Sequence, residues 1–160
     1  MKQLSIVRHA HAEAVSYQYS DFARVLTKPG RDEARFVAEK ASRVISKPDL
    51  ILASPAARAL ETARIFAEVF GIDPDSVITD KTIYYTDSME MLAMLEKLDA
   101  SFQNVVVIGH NPAISELAMR LAPPPVPFFR PAAILTIELD IDNWDQLTQK
   151  RSRTFFTLIP

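Results

Sequence analysis

The sequence predicts an α/β fold, a three-layer αβα sandwich with a mainly parallel central sheet. Short apolar runs of strand length alternate along the chain with amphipathic stretches of helical length. The connections between successive runs are long enough to hold a helix, which is what neighbouring parallel strands require. With 160 residues, the chain is expected to form one domain spanning 1–160. It is too short for a (β/α)₈ barrel, which needs roughly 200 residues or more.

Apolar runs place the strands of this sheet. A short strand begins at Leu4 in the stretch LSIVRHAH, and the others are predicted at Leu50–Ala53, Val77–Thr79, Val105–Ile108 and Ile134–Ile141. Trp144–Leu147 and Thr154–Ile159 are expected to pair at the edge of the sheet. The segments 12–26, which carries Arg24, and Thr82–Thr86 are expected to be loops.

Capping residues place the helices. Thr27 is expected to cap a helix with Pro29 in its first turn, and Ser54-Pro55 to start a helix that ends at Gly71. Apolar spacing predicts a further helix from Met91 to Leu98, and Asn111-Pro112 is expected to begin the next one.

Composition excludes several classes of protein. The chain has no cysteine, which excludes disulfides, thiolate catalysis and zinc–cysteine sites. A formal net charge of −2 argues against non-specific binding to nucleic acid. No segment approaches the roughly 18 apolar residues of a membrane span. We therefore expect a cytoplasmic protein that binds neither nucleic acid nor a membrane.

Three predicted strands end in polar signatures. These are Arg8-His9, then Ser54-Pro55 with Arg58, then Gly109-His110-Asn111-Pro112. Because parallel strands end at the same edge of a sheet, the three signatures should converge there. Guanidinium groups, imidazoles and helix N-termini on one rim favour an anion, and phosphate is the best candidate. Each signature alone is more often a cap or a turn, so the prediction depends on their joint occurrence.

Four motifs carry a family resemblance over residues 4 to about 122. VRHAHAE, ARVLTKPG, SPAARALETA and VVVIGHNP occur in the order found in the histidine phosphatase superfamily. The chain resembles in particular its small phosphohistidine phosphatases of the SixA type, which implies a phosphoglycerate mutase-like fold and a single histidine phosphatase domain. It also implies His9 as nucleophile, Arg8, Arg58 and His110 as phosphoryl-binding groups, and further substrate contacts from Arg24 and Asn111.

Phosphoryl transfer is consistent with these residues, because catalysis depends on positioning and on fixed positive charge. The usual glutamate acid of the superfamily has no clear counterpart. Asp87 and Glu90 are candidate acids, and both are also explained as solvated charges near a helix start; Asp80 lies in the same region. A phosphoramidate nitrogen can leave more readily than an alkoxide, so phosphohistidine suits a site with a weak acid.

The sequence leaves three classes of function open for this site. We expect a phosphatase that forms phospho-His9, needs no metal or other cofactor, and acts on phosphohistidine of a signalling protein or on a small phosphomonoester. A rival is a metal-dependent hydrolase with His9, His11 and His110 as ligands. A third class is a non-catalytic phosphate-binding module. Within the Pro123–Pro131 loop, Phe128 and Phe129 are predicted to pack on the sheet or, less favoured, to line the pocket entrance.

Overall fold

One six-stranded sheet forms the centre of the computed structural model, which describes residues 1–149 and 151–160. Its strands are β1 (Lys2–Arg8), β2 (Leu50–Ala53), β3 (Ile78–Thr79), β4 (Asn104–Gly109), β5 (Ile134–Leu139) and β6 (Ser152–Leu158). The spatial order is β3-β2-β4-β1-β5-β6. The first four strands are mutually parallel, whereas β5 pairs antiparallel with β1 and β6 pairs antiparallel with β5 at one side of the sheet. The predicted α/β fold with a mainly parallel sheet is confirmed.

Within residues 1–149 and 151–160, five α-helices cover the two faces of this sheet. They are α1 (Lys28–Ser42), α2 (Ala57–Val69), α3 (Thr82–Tyr85), α4 (Ser88–Leu95) and α5 (Ala113–Leu121). One buried cluster joins α1 and α2 to the sheet, and a second joins α3, α4 and α5 to the opposite face. Within β4, Val105 and Val107 belong to one cluster and Val106 and Ile108 to the other, as the two-residue period of a strand requires. No helix among the described residues is long and apolar enough to cross a membrane.

Some local predictions are wrong. Trp144–Leu147 is not a strand: Trp144–Gln146 is a 3₁₀ turn in which the buried Trp144 indole N–H donates to the Phe102 carbonyl at 3.0 Å. The pairing of β6 with β5 instead closes that side of the sheet. Thr82–Thr86 is not simply a loop, because Thr82–Tyr85 forms α3.

Two helix starts also differ from prediction. Helix α2 begins at Ala57 rather than Pro55, and α5 begins at Ala113 with Pro112 in the capping position. The oxygen of Ser54 accepts the Ala56 N–H at 3.2 Å but lies 2.7 Å from His110 Nε2 as well. Asn111 makes no capping bond, since its side-chain oxygen accepts the Ser115 hydroxyl while its amide nitrogen donates to the Phe129 carbonyl at 3.0 Å. Both polar side chains are therefore engaged in tertiary hydrogen bonds, which local sequence signals do not reveal.

The start of α1 packs against the segment that follows His9. The Thr27 hydroxyl accepts the Gly30 N–H at 3.0 Å, which confirms the predicted cap, and the Thr27 N–H donates to the His11 carbonyl at 3.0 Å. A Cβ built on Gly30 would lie 2.1 Å from that same His11 oxygen. Only glycine therefore allows α1 to approach this backbone so closely.

Replacing this glycine should destabilise the protein. We expect Gly30→Ala to lower the free energy of unfolding by about 1–3 kcal/mol, the usual cost of overpacking a close contact. Glu39→Ala, at an exposed position of the same helix, is the matched control and should change stability little. Chemical denaturation of both variants measures the difference. Equal stability of the two variants would contradict this account of the contact.

Candidate functional site

His9 lies just beyond the carboxyl end of β1 and is held by its backbone from both sides. Its N–H donates to the Gly109 carbonyl at 3.1 Å, and its own carbonyl accepts the Ala132 N–H at 3.1 Å. The next residue, Ala10, donates its N–H to the Thr62 hydroxyl at 3.2 Å. The predicted nucleophile therefore has a fixed main chain, anchored to the neighbouring strand, to a loop and to α2.

The imidazole of His9 is buried and has a defined tautomer. Nδ1 lies 2.7 Å from the Ala10 carbonyl oxygen, which can only accept, so Nδ1 carries the proton. Nε2 is then the basic nitrogen, and it accepts the Arg58 Nε–H at 3.3 Å. Burial lowers the pKa of His9 to about 3, with the neighbouring His110, Arg58 and Arg8 acting in the same direction. At neutral pH the ring is uncharged, with a lone pair on Nε2.

His110 stands beside His9 at the end of β4. The two ring centroids are 5.1 Å apart, and His110 Nε2 lies 2.7 Å from the Ser54 hydroxyl oxygen. Burial, followed by the nearby Arg58 guanidinium, lowers the pKa of His110 to about 4. His110 Nδ1 and Arg8 Nε are buried and have no hydrogen-bond partner among the described residues. Unsatisfied buried polar atoms are rare in folded proteins and often mark functional sites.

Three arginines supply the positive charge of the site. Arg58 is the second residue of α2 and is almost wholly buried, and Arg8 donates from Nη1 to the Phe129 carbonyl at 2.9 Å. Arg24 comes from the predicted loop and lines the same cavity. That cavity, of about 430 Å³, is lined by Arg8, His9, Ala10, His11, Ala12, Asp21, Arg24, Arg58, His110, Asn111 and Pro131. The structure thus brings together the six residues predicted to handle phosphate.

The two candidate acids lie elsewhere. The Asp87 carboxylate caps α4 by accepting the N–H groups of Met89 and Glu90 at 3.0 and 3.1 Å. Glu90 and Asp80 line a separate cavity formed with α4, which contains none of the three arginines. None of these three acidic residues lines the histidine cavity.

His11 and the proline-rich loop have distinct positions. The His11 ring lies on the rim with its side chain 58% exposed, and Nδ1 is 3.1 Å from Glu33. Among the described residues, no group of three or more histidine or acidic side chains is placed to hold a metal ion. Phe129 is fully buried and its carbonyl positions Arg8 and Asn111, whereas Phe128 is 76% exposed beside an adjoining groove.

Asp21, which lines the cavity, and Tyr84, which contacts Asp21, were not predicted from the sequence. The Asp21 carboxylate accepts hydrogen bonds from Arg58 Nη2 at 3.2 Å, from Arg24 Nη2 at 2.9 Å and from the Tyr84 hydroxyl at 2.7 Å. The Tyr84 hydrogen bond, followed by the arginines, lowers the pKa of Asp21 to about 2. Asp21 lies in a loop without periodicity and Tyr84 in a four-residue helix, so no sequence signal marked either of them.

A parallel sheet whose strand ends gather a neutral histidine and several arginines defines the class of the histidine phosphatases. The sequence model described as histidine phosphatase superfamily (branch 1) matches residues 4–82, which include His9, Arg24 and Arg58. The chain is similar to this superfamily and has its phosphoglycerate mutase-like fold. No curated protein sequence matches the chain.

Within that superfamily the chain is similar to SixA proteins. The protein histidine phosphatase SixA complexed with tungstate is 26% identical, with a TM-score of 0.82 over 99% of this chain and 97% of that one. The protein assigned as the phosphohistidine phosphatase SixA of Agrobacterium tumefaciens is 26% identical, with a TM-score of 0.79 over 99% and 98%. The corresponding protein of Nakamurella multipartitia is 22% identical, with a TM-score of 0.83 over 99% and 96%.

The two buried histidines should make stability depend on pH. Their folded-state pKa values, about 3 and about 4, lie below the ordinary value of 6.5. Between these folded-state values and 6.5, the unfolded chain therefore binds more protons than the folded protein. The free energy of unfolding should therefore fall as the pH is lowered from 7 to 5. Denaturation at both pH values measures the fall, and His110→Gln should reduce it. Equal stability of the parent protein at pH 7 and 5 would refute the burial of two neutral imidazoles.

Proposed function

We propose that the protein is a phosphatase that transfers a phosphoryl group to His9 Nε2 and then to water, and that its substrate is phosphohistidine on a protein. The observation that carries this proposal is the state of His9. Its Nδ1 proton is fixed on the Ala10 carbonyl, so the Nε2 lone pair faces the Arg58 guanidinium inside the cavity. A neutral imidazole oriented in this way is a competent nucleophile.

The cations around His9 have the chemistry needed for the transition state. Phosphoryl transfer spreads negative charge over three oxygens, and fixed donors stabilise that charge without reorganisation. Arg8, Arg58 and Arg24 are the proposed phosphoryl ligands, with His110 and Asn111 completing the pocket. A protein 26% identical to this chain is complexed with tungstate, a tetrahedral oxyanion like phosphate, which supports the anion assignment.

The substrate class follows from the groups available to the leaving atom. A carboxylic acid able to donate a proton is not found among the cavity-lining residues, because the only carboxylate there has a pKa of about 2. An imidazole already protonated on its remote nitrogen leaves without such a donor, whereas an alkoxide does not. The similarity to SixA phosphohistidine phosphatases supports the same choice. A protein carrying phosphohistidine is thus the proposed partner.

Removing the nucleophile tests the mechanism. His9→Ala should abolish hydrolysis of phosphohistidine, because it removes the Nε2 lone pair that is the proposed attacking atom. His11→Ala is the matched control, since this ring lies on the rim and contacts Glu33, and it should keep most of the activity. In the parent protein, rapid quenching should capture acid-labile, base-stable phosphate on His9. Activity in His9→Ala, or loss of parent activity with a chelator, would contradict the proposal.

Replacing Arg58 tests the role of the cations. Arg58→Lys removes the planar fork that contacts both His9 and Asp21, and loss of one such donor costs about 2.7–4 kcal/mol in the barrier, or ~10²–10³ in rate. Arg64→Lys, farther along α2 and paired at the surface with Asp75, is the matched control. Steady-state kinetics of both variants on one substrate measure the effect. Similar activity of the two variants would remove Arg58 from the proposed mechanism.

A further inference from the structure

We propose that the Asp21 carboxylate, held by Tyr84, is a leaving-group subsite that accepts the remote N–H of an imidazole and so selects phosphohistidine over phosphate esters. This inference rests on the function proposed above and assigns a role to a residue that the mechanism has not used. Asp21 is a specificity-determining residue in this account.

The position of Asp21 relative to His9 suits a leaving-group subsite. Arg58 Nε contacts His9 Nε2, while the other end of the same guanidinium contacts Asp21, through Nη1 to its carbonyl at 2.7 Å and Nη2 to its carboxylate. Asp21 therefore lies on the far side of Arg58 from the nucleophile. In-line transfer places the leaving atom opposite His9 Nε2, on the outward side of the phosphoryl group.

The Asp21 carboxylate is accessible, although it has several donors. Its side chain is 48% exposed, whereas the Arg58 side chain that contacts it is 6% exposed. The donors come from Arg24, Arg58 and Tyr84, and the two arginines are also proposed ligands of the phosphoryl oxygens. A phosphoryl group that takes hydrogen bonds from these arginines leaves lone pairs of Asp21 free to accept from the substrate.

Aromatic rings next to Asp21 provide a surface for a flat leaving group. Tyr84 packs edge-to-face on Phe22 with centroids 5.2 Å apart, and it also meets the His110 ring at 5.4 Å. Phe22 is the residue after Asp21 and is 42% exposed. An imidazole whose N–H points to the Asp21 carboxylate would lie beside this aromatic pair, where ring packing adds to the hydrogen bond.

The proposed step balances without a further acid. The bond from phosphorus to the substrate ring nitrogen breaks, with its electron pair moving to that nitrogen, while His9 Nε2 forms a bond to phosphorus. The proton on the remote ring nitrogen stays there, hydrogen-bonded to Asp21, and the ring departs as neutral imidazole. Asp21 thus favours the protonated, more reactive form of the substrate from binding through to the transition state.

The same carboxylate should oppose a leaving group that becomes anionic. A phenolate developing next to Asp21 meets a like charge, which costs free energy in a partly desolvated cavity. Removing the charge of Asp21 is therefore expected to change the two reactions in opposite directions. A residue that merely positioned Arg58 would change both in the same direction.

The test compares two substrates in Asp21→Asn. We measure kcat/KM for phosphoimidazole and for p-nitrophenyl phosphate, and the ratio of the first to the second should fall about tenfold, the size expected for a hydrogen bond to a charged group. Asp75→Asn is the matched control, because Asp75 is exposed beyond the opposite end of α2, and its ratio should equal that of the parent protein.

Tyr84→Phe provides a second variant that keeps the ring and removes the hydroxyl that holds Asp21. Its ratio should shift in the same direction by a smaller amount, so the proposal is testable even if Asp21→Asn does not fold. Parallel losses on both substrates, or an unchanged ratio in the variants that fold, would overturn the subsite. A parent protein without activity on either substrate would instead refute the proposed function itself.

Discussion

The hydrogen bond between His9 Nδ1 and the Ala10 carbonyl is the constraint on which the site depends. It fixes the tautomer, and the tautomer decides which nitrogen has a lone pair. The bond exists because the backbone around His9 is itself held, by Gly109 on β4 and by Ala132 in the loop before β5. Burial and the neighbouring arginines then keep the ring uncharged by lowering its pKa. The backbone contacts of His9 with β4 and with the loop before β5 thus determine which nitrogen of its imidazole is protonated.

The positive charge of the cavity is arranged by elements from both faces of the sheet. Helix α2 carries Arg58, the segment before α1 carries Arg24, and the proline-rich loop supplies the Phe129 carbonyl that holds Arg8 and Asn111. Asp21 is the single carboxylate among the cavity-lining residues, and it connects two of these arginines. Three guanidinium groups and one carboxylate leave a net positive site in a chain whose formal net charge is −2. Local placement of charge, rather than overall charge, therefore attracts an anion.

The elements that could be predicted from the sequence are those whose local pattern is compatible with few structures. The apolar runs of β1, β2 and β4 and the Thr27 cap were predictable because strand periodicity and capping are local properties. The helix starts at Ser54 and Asn111 were predicted less well, because these side chains also contact His110 and Phe129, residues far away in sequence. The prediction failed at Trp144, where an indole hydrogen bond to Phe102 outweighs strand propensity.

The sequence by itself determined that Arg8, His9, Arg58 and His110 follow strands, and parallel strands must end at one edge. It could therefore assign the class of chemistry, because convergence follows from topology alone. Only the tertiary structure decided the acceptor of the His9 proton, the separation of Asp87 and Glu90 from the cavity, and the contact of Asp21 with Arg58 and Tyr84. These depend on how loops and short helices pack, and such segments carry no periodic signal from which packing can be read.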